Sequence, residues 1–200
     1  MDPSLVASHP DVSPLLTQRA QRAKLLEAMV QAVAEKGFEA ATVADAVRLA
    51  RVSRGTFYEL FDSKESCYAE AYRLGVDVIE ERVDAAARAH EDWREQLRAG
   101  VRAYLETLAS EPQFVRVYLA ESHAAGAERD AANWRFARRY GRSFARSGRP
   151  VPPDDALFLL AAGVGDLAAA TLRAGGDILE LEDTMVGCAV RLATEEERWT

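Results

Sequence analysis

Cysteine, histidine and long apolar runs are all scarce in this 200-residue chain, and each scarcity removes a class of protein. Two cysteines, Cys67 and Cys188, have no metal-ligand spacing and are too few for a disulfide framework, so a reduced, cytoplasmic protein is expected. The three histidines, His9, His90 and His123, lie far apart, and no serine or cysteine nucleophile pattern accompanies them. No metal site, cofactor or catalytic centre is therefore expected, and the chain reads as a non-enzyme. The longest apolar stretch, Ala156–Gly165, is ten residues, against the ~18–20 that cross a bilayer. No membrane partner is expected. Residues 1–16 lack the basic start and apolar run of a signal peptide; with Pro3, Pro10 and Pro14 they read as a flexible tail.

Positive charge is also short overall. The formal net charge is -7, which does not favour a nucleic-acid partner. Its distribution is uneven, however: between Thr17 and Lys64 eight Lys/Arg face six acids, so that segment is +2 and the remainder -9. The acid lies where it would repel DNA least.

What is present is helical periodicity, with no strand-like alternation. Leu26, Met29, Val30, Val33 and Ala34 form one buried stripe, and Gly37 ends that helix with Phe38 folding back over its last turn. Thr42-Val43-Ala44-Asp45 starts a second helix with a capping-box pattern, to about Leu49 or Ala50. Ser53 caps a third, and Asp62 or Ser63 caps a long fourth over about Lys64–Ala89. Further helices are expected over Trp93–Ala109 and about Gln113–Ala124, with an Arg- and aromatic-rich segment over 127–147. Two more follow, one from Asp154 to Gly175-Gly176 and one from Asp177 to about Glu196. The fold class is all-α.

The third helix, Ser53-Arg54-Gly55-Thr56-Phe57-Tyr58, is the most telling part. Two turns are too short to stand alone, so neighbours must hold it. Phe57 and Phe61 point inward at i,i+4, leaving Arg54, Thr56 and Tyr58 reachable. That face suits a DNA major groove.

Together, Glu35-Lys36-Gly37-Phe38, Thr42-Val43, Val52-Ser53-Arg54-Gly55-Thr56-Phe57-Tyr58 and Phe61-Asp62-Ser63-Lys64-Glu65, after the first-helix stripe, resemble the TetR family of bacterial one-component transcription regulators. The likeness covers residues 25–69. It implies a helix-turn-helix DNA-binding domain over 17–62 and a larger helical effector-binding and dimerisation domain over 63–200, about nine helices in all. The implied function is sequence-specific DNA binding by a homodimer on a near-palindromic operator, most often repression, with a small-molecule effector swinging the long fourth helix to release it. The resemblance places Thr42 and Lys64 on phosphates, Arg54 and Thr56 on base edges with Gly55 between them, and Tyr58 on a phosphate or thymine methyl. Arg48 and Arg51 stand between phosphate contact and solvated charge. The chain departs from the family at Arg51, where glycine is usual, at Ala46, where a larger aliphatic is usual, and at Glu59 and Leu60.

The later helices support two readings each. Tyr104, Phe114, Tyr118, His123, Trp134 and Phe136 are candidates to line an effector cavity, or they are ordinary packed core. The run Arg135, Arg138, Arg139, Arg142, Arg146, Arg149 is a solvated face, a pocket for an anionic effector such as an acyl-CoA, or an auxiliary DNA contact. Phe158, Ala162, Gly163 and Leu167, with Leu181, Met185 and Cys188, make two apolar helix faces. They read as one side of a dimeric four-helix bundle, the alternative being a buried central helix in a monomer. The rival function is a helical small-ligand carrier or adaptor without DNA binding.

Overall fold

The computed structural model describes residues 12–110, 115–120 and 122–194, and among them every regular element is helical. The chain divides into two compact units, Met1–Ala71 and Tyr72–Thr200.

The first unit holds α1 (Val12–Lys36), α2 (Val43–Ala50), α3 (Arg54–Leu60) and the start of α4 (Lys64–Arg88). The α1 helix begins ahead of the expected Thr17. Pro14 falls in its first turn, where the missing N–H has no helical partner anyway. Leu25, Met29, Ala32 and Val33 form the buried stripe. Gly37, at φ 79°, turns the chain left-handed, and its amide donates to the Val33 carbonyl at 2.8 Å. Ala46 is fully buried, and its small side chain suits the close packing of α2 on α1.

Between α2 and α3 the chain passes through Arg51 at φ 55° and ψ 43°. Among the described residues it is the one non-glycine with positive φ. Such a residue costs about 1 kcal/mol. The Val52 amide closes the turn on the Val47 carbonyl at 3.1 Å. Ser53 Oγ then accepts from the Thr56 amide at 2.9 Å and starts α3.

Seven residues of helix need outside support, and Arg22 of α1 supplies it. Its Nη1 donates to the Leu60 carbonyl at 2.9 Å, at the last turn of α3. Its Nε donates to Glu70 Oε1 at 2.6 Å, and Nη2 bonds the other oxygen of the same carboxylate. The guanidinium also lies 4.4 Å from the centroid of the Phe61 ring. The bond to Glu70 raises the Arg22 pKa further. Ser63 Oγ accepts from the Ser66 amide and Ser66 Oγ from the Ser63 amide, each at 3.1 Å. This reciprocal cap starts α4; of the expected candidates Asp62 and Ser63, the serine does it.

The second unit holds the rest of α4, then α5 (Trp93–Ser110), α6 (Ala127–Arg146), α7 (Asp154–Arg173) and α8 (Glu182–Thr194). The helix expected over Gln113–Ala124 is not regular. Its described part is a widened π turn at Arg116–Ala120 and a 3-10 turn at Ser122–Ala125, ending at Gly126 with φ 47°. The last helix is divided too: Asp177 caps a 3-10 turn, Ile178–Leu181, before α8 begins.

The α6 and α7 helices pack closely, since a Cβ on Gly141 would come 3.2 Å from Leu157 Cδ1. The α5 and α8 helices are joined by Arg98 and Arg102, which share Glu182. Among the described residues α7 alone is long and apolar enough to cross a membrane. It carries Asp166 in its second half, paired with Arg129, a charge that would be costly in hydrocarbon. Its Leu159, 72% exposed, shares a stripe with exposed Gly163 and Leu167.

Removing the Arg22 side chain is expected to destabilise the protein by about 1–2 kcal/mol, the range of a charged hydrogen bond discounted for partial exposure. Urea unfolding of Arg22→Ala measures the loss. Hydrogen exchange should show amides 54–60 opening before those of α1.

Candidate nucleic-acid interface and effector cavity

On α3, burial divides the side chains sharply. Phe57 is fully buried and packs tilted against Phe61 with centroids 5.6 Å apart, while Arg54 and Tyr58 face out. Tyr58 is 49% exposed despite its large ring. Arg54 Nη2 approaches the Tyr58 hydroxyl at 3.5 Å, and its guanidinium lies 5.7 Å from the ring. This i,i+4 pairing limits the freedom of both exposed groups. Thr56 is half-buried and its hydroxyl sits 2.9 Å from Ser53 Oγ. A Cβ on Gly55 would meet only Ser53 Oγ at 3.5 Å. Nothing within the unit requires glycine there, although glycine in a helix costs up to about 1 kcal/mol.

Arg48, Arg51 and Arg54 are all exposed, at successive three-residue steps across the turn. Arg48 lies 3.7 Å from Asp45, and Arg51 and Arg54 have no acidic partner among the described residues. Lys64 is engaged inside the unit: its Nζ donates to the Phe38 carbonyl at 2.8 Å and lies 4.2 Å from that ring.

Thr42 is held by a complete capping box. Its Oγ1 accepts from the Asp45 amide at 3.2 Å, and its own amide donates to Asp45 Oδ2 at 3.1 Å. The Thr42 hydroxyl also donates to Asp45 at 2.8 Å, and Lys36 Nζ pairs with the same carboxylate at 2.6 Å. Lys36 first, then Thr42, hold the Asp45 carboxyl down to about 2.

The second unit encloses a cavity of about 360 Å³ between α4, α5, α6 and α7, reached also by Tyr118. Of the sequence candidates, Tyr104, Tyr118 and Phe136 line it. Trp134 does not: two positions from Phe136 on α6, it points to another face and packs on Phe158 at 4.6 Å. Phe114 and the side chain of His123 lie outside the described residues. Burial pushes Tyr140 up to about 12 and raises Tyr104 and Tyr118 as well. These phenols are uncharged hydroxyls at neutral pH.

The arginine run separates by function. Arg135 bonds Glu80 and Asp77, and Arg139 pairs with Asp84. Arg142 and Arg146 line the cavity with Arg139. Arg149 lies over Trp93, and Arg138 is exposed. Of the candidate subunit-contact residues, Gly163, Leu167 and Cys188 are exposed, and Phe158, Ala162 and Leu181 half-buried. Met185 is the correction: it is 2% exposed, on the inward side of α8.

Three residues that matter were not singled out from the sequence. Arg22 lies within the first helix pattern, where an arginine on the polar side looks ordinary. Leu159 belongs to an apolar run whose outward side the run itself does not mark. Arg88 closes α4, where a basic residue is commonplace.

Residues 25–71 match the family model "Bacterial regulatory proteins, tetR family". A curated relative, the HTH-type transcriptional regulator YfiR of Bacillus subtilis (strain 168), is 29% identical over 115 residues, 54% of this chain. The chain spans about half, 52%, of that relative's length. Two solved structures share the fold. FadR from Bacillus subtilis, in complex with stearoyl-CoA, superposes with a TM-score of 0.73 at 17% identity over 84% of this chain and 97% of that one. A TetR-family transcriptional regulator from Syntrophomonas wolfei gives 0.74 at 18% identity, over 91% and 99%. The two units thus have the form of a helix-turn-helix module and a helical second domain. Residues 25–71 carry the tetR-family pattern, and the chain shares its fold with solved regulators.

Asp45 yields a pH prediction. Its folded pKa is depressed from 3.8 to about 2, so its stabilisation is fully present above the ordinary value and lost as pH falls through the folded one. The stability gap between wild type and Asp45→Asn should be constant near neutrality, shrink between pH 3.8 and about 2, and close below. Denaturation at stepped pH measures it.

Proposed function

We propose that this chain is a homodimeric transcription regulator, most simply a repressor, that reads double-stranded DNA with α3 and is released by a small molecule held in the second unit. The observation that carries the reading is α3 itself. A seven-residue helix is braced from inside by Arg22 and Phe57, yet turns Arg54 and Tyr58 outward with no core role. Arg54 has the fork that matches guanine O6 and N7, and Tyr58 has a phenol for phosphate or a ring for a thymine methyl. Since nothing inside the unit requires glycine at position 55, its lack of a side chain suits close approach by DNA backbone. Arg48 and Arg51 flank the helix for phosphates, with Thr42 at the start of α2. Lys64 would contact phosphate only by leaving the Phe38 carbonyl, so its share is smaller than that of Arg54.

Dimerisation is assigned to α7 and α8. Leu159, Gly163 and Leu167 on α7, and Cys188 on α8, expose a face with small residues at which another helix can approach closely. Phe158 and Trp134 extend it, and the half-buried Ala162 and Leu181 lie at its edges. A two-fold pair of reading helices suits a near-palindromic operator with half-sites about one helical turn apart, or a multiple of it. The cavity is the effector site, a reading supported by FadR, which has this fold and was solved with stearoyl-CoA. Such a protein works in the cytoplasm and carries no catalytic role.

Mobility shift on duplexes from upstream of the neighbouring genes tests the DNA reading. Arg54→Ala and Tyr58→Ala should each weaken binding about tenfold or more, and binding should fall steeply with salt. Binding indifferent to both substitutions would leave the carrier or adaptor reading in its place. Sedimentation tests the dimer: Leu159→Glu should give a monomer of 22.0 kDa where wild type is twice that mass.

A further inference from the structure

The cavity has two chemically different ends, and helix register shows which is which. The α4 and α6 helices are matched in step: Asp77 and Glu80 bond Arg135, and one turn later Asp84 pairs with Arg139. Another turn brings Arg88 level with Arg142, and Arg146 follows one turn further along α6. The α5 helix runs the opposite way along α6, since Tyr104 meets Phe136 and Trp93 meets Phe144, each at 6.2 Å. Gln96 therefore belongs with the arginines, and Tyr104 with Phe136, Tyr118 and the small residues Ala161 and Gly165 of α7. One end is basic; the other is uncharged and mostly aromatic and aliphatic.

The charges at the basic end are also uncompensated. Arg135 and Arg139 are neutralised by the three α4 carboxylates. Arg88, Arg142 and Arg146 line the cavity with no acidic partner among the described residues, in a chain whose net charge is -7. Guanidinium forks match carboxylate and phosphate oxygens in pairs. At about 360 Å³ the cavity is near the small end of the range for ligand sites.

We infer that the cavity takes an elongated amphipathic anion. Its acidic group sits among Arg88, Arg142 and Arg146, and its apolar chain runs toward Tyr104, Tyr118 and Phe136. This rests on the cavity being the effector site and names the ligand class of that site. A free carboxylate and the phosphates of a thioester-linked carrier share the required chemistry.

Calorimetric titration of the full chain with dodecanoate, dodecanoyl-CoA, coenzyme A alone and dodecanol separates the cases. The acidic chain compounds should bind at least about tenfold tighter than dodecanol, and coenzyme A alone should not bind. The tighter of dodecanoate and dodecanoyl-CoA identifies the source of the acid, and either order supports the inference. Arg142→Ala with Arg146→Ala should abolish the preference for acid and leave dodecanol affinity unchanged, which also reports that the variant is folded. Dodecanol binding as tightly as the acids, an intact preference in the double variant, or no binding by any chain compound each overturns the inference. Mobility shift on the same preparation judges the DNA reading separately.

Discussion

The guanidinium of Arg22 holds three pieces of chain at once: the last carbonyl of α3, the Glu70 carboxylate of α4, and the face of Phe61 between them. Without that convergence α3 would be a two-turn helix with one buried phenylalanine, below the length at which helices persist in water. With it, the helix is fixed at both ends, by the Ser53 cap at its start and Arg22 at its finish. Arg54, Tyr58 and the open Gly55 are thereby freed from any structural duty. The proposed DNA reading needs that separation, because a side chain that holds its own helix in place cannot also be offered to a base edge.

The second unit shows the same economy with charge. Arg135 and Arg139 fasten α6 to α4 through three carboxylates, which leaves Arg88, Arg142 and Arg146 as a basic end of the cavity. The buried phenols Tyr104, Tyr118 and Tyr140 supply polarity without charge. The α7 helix serves two faces: Ala161, Val164 and Gly165 close the cavity, and Leu159, Gly163 and Leu167 are left outside. A helix apolar on both sides fits a cavity on one and, under the proposed dimer, a subunit on the other.

Local chemistry was the legible part of the sequence. Thr42, Ser53 and Gly37 act through near neighbours in the chain, and each sits where its capping or turn role placed it. The outward set on α3 followed from Phe57 and Phe61 at i,i+4. What could not be read was long-range partnering. The salt bridge from Arg22 to Glu70 joins residues 48 apart in sequence, and no periodicity marks it. Helix phase was the second failing. Trp134 and Phe136 are two residues apart, about 200° around the helix, so one faces the cavity and the other Phe158. Met185 failed similarly: an apolar residue on α8 suits either side, and packing took it inward. The irregular turn at Arg116–Ala120 carries no proline or glycine of its own to announce it.

Under the proposed function α3 reads base sequence and does not merely cling to DNA. Selection of duplexes from a random pool by the full chain tests it with no operator assumed. The expected result is enrichment of an inverted repeat with half-sites about one turn apart, and a relaxed preference at one position of each half-site when Arg54→Ala performs the selection. A pool that emerges with no sequence enrichment, or the same motif with undiminished preference from Arg54→Ala, would contradict it.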